Sequence, residues 1–289
     1  MSRLAVPKTY KLYIGGKFPR SESGRSYEVL SKDGAFLANA AQASRKDARD
    51  AVVAARAAVK GWSGSTAYNR GQVLYRIAEL LEGRRAQFID ELVHSEGLSA
   101  GTAEAAVDLA IDRWVWYAGW ADKYAQVLGN GNPVAGPYFN LSVPEPTGVV
   151  AVIAPQTGEG HSLVGFVSAV APALVAGNTV IVVASEAAPL SAISLSEVLA
   201  TSDVPGGVVN VLTGSPKEIA PWLASHADVN ALDLVGAGGL DWVQLQVDAA
   251  ETLKRVLAPE DGPDAAAPSL ERISAFTETK TVWHTKGLL

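Results

Sequence analysis

The stretch from Val149 to Val235 constrains the fold most, because short apolar strands alternate there with helices. Strands are predicted at Val149–Ile153, Thr179–Val183, Gly207–Leu212 and Ala231–Val235, with helices between them at Leu163–Ala176, Leu190–Ala200 and Ser215–Ala224. Strands alternating with helices of this length indicate βαβ units and a parallel sheet that is covered on both faces. The expected fold class is therefore α/β, and a ligand would bind at the carboxyl ends of the strands.

The flanking segments have different patterns. Apolar residues at helical spacing predict helices at Arg45–Lys60, Asn69–Gly83 and Ala103–Leu128. Period-two alternation predicts further strands at Tyr10–Phe18, Tyr138–Val143 and Thr277–Trp283. A proline-rich segment at 258–269 is predicted to be a linker. The last strand has no fold of its own, so we expect it to pair with another sheet edge.

Composition excludes several classes of function. The 289 residues include no cysteine, so thiol nucleophiles, disulfides and cysteine metal sites are ruled out. There are 24 basic and 30 acidic residues, which leaves no electrostatic footprint for nucleic acid. The weakly polar stretch from Leu163 to Ala184 is broken by Pro172 and Gly177, so no membrane span is expected. A cytoplasmic location is the resulting prediction.

Six fragments, in order along the chain, resemble the aldehyde dehydrogenase family. They are YIGGKF near the start, GWADKY at 119–124, PEPTGVVAVIAP at 144–155, VAPALVAGNTVIV at 170–182, DVPGGVVNVLTG at 203–214 and HADVNALDLVG at 226–236. The ending FTETKTVW at 276–283 is similar to the last strand of that family, which reaches a neighbouring subunit. The resemblance therefore implies that Thr277–Trp283 pairs with a sheet edge of another subunit and that the central domain folds without it. Within the family, the match resembles the degenerate second half of the large two-module aldehyde dehydrogenases.

The resemblance implies a Rossmann-like coenzyme domain with flanking helices and a small oligomerisation β-sheet. The implied boundaries are 21–130 and 149–257 for the coenzyme-type domain, 9–20, 131–148 and 274–285 for the oligomerisation sheet, and 258–269 for the linker. In the family, a catalytic domain with a cysteine nucleophile precedes the last strand. This chain passes from Leu257 through the linker to FTETKTVW, so we expect the catalytic domain to be absent.

The positions that serve chemistry in the family are altered here. The family's Pro-Trp-Asn reads Pro155-Gln156-Thr157, its Lys-Pro-x-Glu reads Val183-Ala184-Ser185-Glu186, its Phe-Thr-Gly-Ser reads Leu234-Val235-Gly236-Ala237, and its general-base glutamate falls near Pro259. The resemblance thus implies no catalytic residue. The residues left in coenzyme-binding positions are Ile153, Pro155, Glu186, Gly236, Ala237 and Gly238. The expected cofactor is none, or weakly bound NAD.

Two interpretations of the glycine-rich loop stay open. The run Gly236–Gly239 could cradle a pyrophosphate at the start of the next helix, or it could be an inherited turn without a ligand. The histidines His94, His161, His226 and His284 are scattered, so no metal site is expected. A Ser-His-Asp constellation cannot be assembled, because sequence spacing alone does not place side chains.

These observations favour a catalytically inactive subunit that binds, and supports or regulates, a catalytic aldehyde dehydrogenase, with itself as a further partner. An NAD-binding or NAD-sensing module is the alternative. A third hypothesis is an oxidoreductase that acts on aldehydes through another nucleophile. The expectation for the isolated chain is that it is not an enzyme, with no nucleic acid or membrane among its partners.

Overall fold

The computed structural model describes residues 6, 8–259 and 267–287. The strands are β1 (Thr9–Tyr10), β2 (Ser26–Leu30), β3 (Phe36–Ala41), β4 (Asn130–Asn132), β5 (Tyr138–Pro146), β6 (Val149–Ile153), β7 (Thr179–Val183), β8 (Val209–Leu212), β9 (Ala231–Asp233), β10 (Arg255–Leu257) and β11 (Thr277–Thr285). The helices are α1 (Arg45–Ser63), α2 (Ala67–Gly83), α3 (Arg85–Glu96), α4 (Ala100–Trp120), α5 (Tyr124–Leu128), α6 (Phe166–Val175), α7 (Leu190–Thr201), α8 (Pro216–Ser225), α9 (Trp242–Ala250) and α10 (Leu270–Ser274). A π-helical turn at His161–Gly165 leads into α6.

A five-stranded parallel sheet in the order β10-β9-β6-β7-β8 forms the centre of the fold and confirms the predicted class. Successive side chains of a strand point to opposite faces. Val149, Ala151 and Ile153 pack in a cluster with α1, α8 and α9, whereas Val150 and Val152 pack with the larger cluster that includes α4, α6 and α7. Both faces are therefore covered by helices, as βαβ connections require.

The helical layer over the larger cluster contains the aromatic run of the sequence. Trp114 and Tyr117 of α4 are fully buried, so these rings serve the core. The helix predicted at Ala103–Leu128 is divided into α4 and α5, and α3 precedes it without having been predicted. Few apolar side chains of α3 are buried, chiefly Phe88 and Leu92, which gives that helix a weak periodic signal.

The N-terminal segment is placed differently from the sequence expectation. The range 9–20 was assigned to the oligomerisation sheet, but β1 pairs in parallel with β3, which also pairs with β2. Tyr13 then exchanges backbone hydrogen bonds with Val211 at the edge of the parallel sheet. Leu12 and Tyr13 are buried there. That assignment was wrong because burial of these two side chains draws the segment onto the central domain.

A third sheet has the order β11-β5-β4 and is antiparallel throughout. Strand β11 pairs with β5 over nine residues, from Thr277 opposite Pro146 to Thr285 opposite Tyr138. The expectation that this strand uses the edge of another subunit is wrong for this edge, since its partner lies in the same chain. Pairing within the chain follows from α10, which returns the chain beside β5.

The segment before β11 is built into the central core. Ile273 and Phe276 are fully buried, and the buried Asn178 side chain donates to the Phe276 carbonyl at 2.9 Å. Arg272 forms an ion pair at 2.6 Å with Asp233, a fully buried carboxylate of β9. The tail is therefore not a separable appendage, contrary to the sequence expectation.

The parallel sheet has an edge strand that the sequence pattern does not predict. The last strand predicted in the alternating region is Ala231–Val235, but β10 lies beyond it at Arg255–Leu257 and pairs with β9. The predicted linker 258–269 falls partly outside the described residues.

Within the described part of the chain, no helix has the length and apolarity needed to cross a bilayer. The cytoplasmic location stays a prediction.

Candidate functional site

The carboxyl ends of β6, β7 and β9 meet at one edge of the parallel sheet. From β6 the chain forms β7 and β8 on one side and then returns to place β9 and β10 on the other. The direction of winding thus reverses between β6 and β9, the kind of point at which α/β sheets bind ligands. The six predicted coenzyme-binding residues lie at or just after the ends of these three strands.

Ile153 and Gly236 are brought together at this reversal. The Gly236 N–H donates to the Ile153 carbonyl at 2.9 Å. A Cβ on Gly236 would lie 1.9 Å from the Ala154 carbonyl oxygen, so only glycine allows this approach. The loop after β9 therefore closes directly over the end of β6.

The rest of the glycine-rich loop leads into α9. Ala237 is fully buried, whereas Gly238 is exposed with open space around its Cα. Asp241 is the N-cap of α9, and its carboxylate accepts from the Gln244 N–H at 3.1 Å. The helix terminus that would face a pyrophosphate thus already holds an anionic side chain.

Gln156 connects the ends of β6 and β7. Its amide nitrogen donates to the Ala154 carbonyl at 2.6 Å, and its amide oxygen accepts from the Glu186 N–H at 3.0 Å. Pro155 is buried beside it, whereas Glu186 is exposed. Val183, which stands where the family has a lysine, is fully buried at the end of β7.

This arrangement fits a dinucleotide poorly. A pyrophosphate is held by a cation or by a helix N-terminus with unused N–H groups; here the positions concerned carry a buried valine and the Asp241 cap. Among the six predicted residues, Glu186 alone has a side chain that can hydrogen-bond to a ribose. Of the six residues, Ile153, Gly236 and Glu186 take part in hydrogen bonds that join the strand ends.

A cavity of about 680 Å³ opens beside the ends of β6 and β7. Its wall comes from the β2–β3 turn, the end of α3 with the start of α4, the loop after β6 and the turn after β7. The lining residues include Leu30, Lys32, Glu96, Leu98, Ser99, Thr102, Gln156, Thr157, Gly158, Glu159, His161, Ala187 and Ala188. The cavity thus combines apolar, hydroxyl and charged side chains.

A chain of buried polar side chains lies at this cavity. His161 Nε2 is 3.0 Å from Ser185 Oγ, and His161 Nδ1 is 3.3 Å from Glu96 Oε2. The Glu96 carboxylate also accepts from the Gly160 N–H at 2.7 Å, from the Ser162 N–H at 3.1 Å and from the Ser162 hydroxyl. The side chains of His161 and Glu96 are 8% and 3% exposed.

These contacts determine the ionisation of Glu96. Burial raises the pKa of its carboxyl, but the hydrogen bond and the charge of His161, together with the Ser162 bonds, outweigh burial and hold the pKa below its ordinary value of 4.5. Glu96 is therefore the anionic member of the group at neutral pH.

The sequence analysis names His161 as one of four scattered histidines and does not identify Glu96 or Ser185 as its partners. Glu96 ends α3, His161 begins the π-helical turn, and Ser185 follows β7. Three separate segments thus deliver the three side chains. No local pattern in the sequence marks a group that forms only when such distant segments pack together.

Comparison with known proteins identifies relatives of the chain. Residues 18–266 match the model of the aldehyde dehydrogenase family. A putative aldehyde dehydrogenase of Bacillus subtilis is 32% identical over 256 residues, which cover 86% of this chain and 50% of that protein. Mouse cytosolic 10-formyltetrahydrofolate dehydrogenase is 31% identical over 249 residues, which cover 82% of this chain and 26% of that protein.

Solved structures agree with the fold. The structure of an aldehyde dehydrogenase from Bacillus cereus in complex with NAD⁺ superposes with a TM-score of 0.79 at 26% identity, and the match covers 86% of this chain and 50% of that one. The chain therefore spans about half or less of the length of these relatives.

Proposed function

The chain belongs to the aldehyde dehydrogenase family, and we propose that it is catalytically inactive as an aldehyde dehydrogenase and that it associates with a catalytic aldehyde dehydrogenase, which it supports or regulates. The family reaction uses a cysteine thiolate to form a thiohemiacetal, and this sequence has no cysteine.

The observation that carries the partner role is the exposed third sheet. Phe139, Leu141 and Val143 alternate along β5 and so point to one face, where they are 56%, 44% and 40% exposed. Val282 of β11 lies directly opposite Leu141. A row of apolar side chains on an open sheet face is typical of a surface that another protein covers.

The edges of the same sheet support this proposal. In the described part of the chain, the outer edges of β4 and β11 pair with no further strand. Unpaired edges are sites at which strands of other chains add. The partner we propose is a complete aldehyde dehydrogenase subunit or a second copy of this chain.

Co-expression of the tagged full chain with a catalytic aldehyde dehydrogenase from the same host tests this function. We expect a complex whose mass, measured by light scattering after size-exclusion chromatography, exceeds that of either protein. Leu141→Glu should weaken the complex at least about tenfold, because it buries a charge in the interface. Val53→Glu, at an exposed site of α1, is the control. A monomer that captures no aldehyde dehydrogenase contradicts the proposal.

We also propose that NAD binds weakly or not at all, since the strand-end loops fit a dinucleotide poorly. Calorimetric titration of the purified chain should give a dissociation constant above about 1 mM for NAD. Micromolar binding, weakened by Glu186→Ala, would instead favour the NAD-sensing module.

A further inference from the structure

Glu96, His161 and Ser185 play no part in the proposed assembly, yet they are arranged as a carboxylate, a base and a nucleophile. We propose that they form a nucleophilic triad in which Ser185 accepts an acyl group from a small uncharged ester. Ser185 Oγ lies 3.0 Å from His161 Nε2, the contact that activates a serine. On the other side of the ring, Nδ1 bonds to the Gly158 carbonyl at 2.6 Å and lies 3.3 Å from the Glu96 carboxylate, so the carbonyl orients the ring and the carboxylate supplies the negative charge. This inference does not rest on the proposed function.

The hydrogen-bond directions place the protons where the reaction needs them. His161 Nδ1 is 2.6 Å from the Gly158 carbonyl oxygen, which can only accept, so Nδ1 carries a proton. In the neutral ring, Nε2 is then the acceptor and receives the Ser185 hydroxyl proton. Ser185 Oγ itself accepts from the Ala188 N–H at 3.2 Å. The serine proton therefore points at the base.

The anion beneath the imidazole has a defined position. The Gly160 and Ser162 amides donate hydrogen bonds to the Glu96 carboxylate. These bonds stabilise its ionised form in addition to the nearby His161 ring. A fixed carboxylate stabilises the imidazolium that forms when His161 takes the serine proton.

The surroundings indicate the substrate class. The cavity beside His161 offers apolar wall at Leu98, Ala187 and Ala188 and hydroxyl groups at Ser99 and Thr102. Lys32 and Glu159 also line the cavity, so it is the apolar and hydroxyl part of the wall that suits a neutral ester. Ser185 is only 2% exposed, so the acyl group must be small enough to reach its oxygen past His161 and the turn that follows β7.

The covalent step balances with water as the co-reactant. Ser185 Oγ bonds to the ester carbonyl carbon while its proton moves to His161 Nε2. The bond from that carbon to the alcohol oxygen then breaks, and the proton passes from His161 to the departing alcohol. Water attacks the acyl-serine with His161 as base, which releases the carboxylic acid and returns the proton to Ser185.

Turnover should be slow. Stabilisation of the tetrahedral oxyanion needs free N–H donors, and the Glu186 and Ala188 amides near Ser185 already bond to Gln156 and to Ser185 itself. Because acylation and hydrolysis both pass through a tetrahedral oxyanion, we expect both steps to be slow, and the acylated serine is sought after long incubation.

Labelling of the purified full chain tests the triad. 4-Nitrophenyl acetate, whose acetyl group is small, should modify one residue per chain, and peptide mass mapping should place the adduct on Ser185. Ser185→Ala should abolish the adduct, and His161→Gln should slow its formation more than about tenfold. Ser196→Ala is the matched control, because Ser196 is a buried serine of α7 whose hydroxyl donates to the Ala192 carbonyl.

Folding of each variant is checked by circular dichroism, and mapping of the wild-type adduct does not depend on any variant. Absence of label from Ser185 in the folded wild-type chain would overturn the triad. Labelling of Ser185→Ala as fast as Ser196→Ala would overturn it equally. The three residues would then only hold the loop after β6 in place.

Discussion

The parallel sheet is buried, whereas the third sheet is largely exposed to solvent. All five residues of β7 in the parallel sheet are buried. In β5 of the third sheet, one of nine residues, Asn140, is buried, and large apolar side chains face outward. Helices of the same chain cover the parallel sheet and stabilise it. The third sheet depends on pairing with β11 and on the partner that we propose for its exposed face.

The tail joins these two regions through contacts of different strength. Its first part, through Phe276, fills the core beneath the parallel sheet. Its second part, β11, lies at the exposed edge of the third sheet. The tail thus passes from core to surface within a short length of chain, and this division can be tested.

Two truncations should give the largest difference. Ending the chain after Ser269 removes the buried Ile273 and Phe276 and should cost more than about 5 kcal/mol, enough to unfold a marginally stable domain. Ending it after Thr277 keeps both side chains and should preserve the far-ultraviolet circular dichroism with a lower Tm. Equal Tm values for the two truncated chains would show that burial of Ile273 and Phe276 contributes little to stability.

A matched pair of side-chain truncations compares the two sheets directly. Ile181→Ala in β7 should lower the free energy of unfolding by about 2–5 kcal/mol, since Ile181 is fully buried. Leu141→Ala in β5 should cost less than about 1 kcal/mol in the isolated chain, because Leu141 is 44% exposed there. Urea denaturation measures both. A cost at Leu141 equal to that at Ile181 would mean that its face is already covered.

Protonation of Glu96 at low pH should lower the free energy of unfolding. Its pKa is lower in the folded chain than the ordinary value of 4.5, so its contribution is fully present above pH 4.5 and is lost as pH falls through the folded-state pKa. Glu96→Gln should therefore cost about 1–3 kcal/mol at pH 7 and progressively less below pH 4.5. Denaturation midpoints at several pH values check this, and a cost independent of pH would contradict it.

The smallest effect is expected where the two regions meet at the surface. Arg255 of β10 forms two hydrogen bonds with Glu278 of β11, at 2.6 and 2.8 Å. Because the two side chains are 42% and 56% exposed, Glu278→Gln should cost about 0.2–1 kcal/mol and less at high salt. Lys280→Gln, which breaks the exposed pair with Glu145, is the control. A decrease in the free energy of unfolding well above this range would show that the Arg255–Glu278 pair helps to hold the tail on the parallel sheet.

The candidate site divides in the same way between predictable and unpredictable parts. The loops at Pro155, Glu186 and Gly236 could be expected at one sheet edge, because carboxyl ends of parallel strands meet there. Their contacts could not, since Gln156 and Asp241 use hydrogen-bonding groups that a ligand would need. The directions of the Gln156 and Asp241 side chains decide which hydrogen-bonding groups remain available to a ligand, and the sequence does not give those directions.

The sequence by itself determined the strands Val149–Ile153 and Thr179–Val183 to the residue, because short apolar runs rich in β-branched residues, each preceded by a turn that contains glycine, favour buried strands. It also determined the family, through fragments kept in order. Only the tertiary structure decided that Tyr10 pairs with β3, that β11 pairs with β5, and that Glu96 meets His161 and Ser185. Strand partners and side-chain clusters depend on packing between residues far apart in the chain, and local periodicity carries no record of that packing.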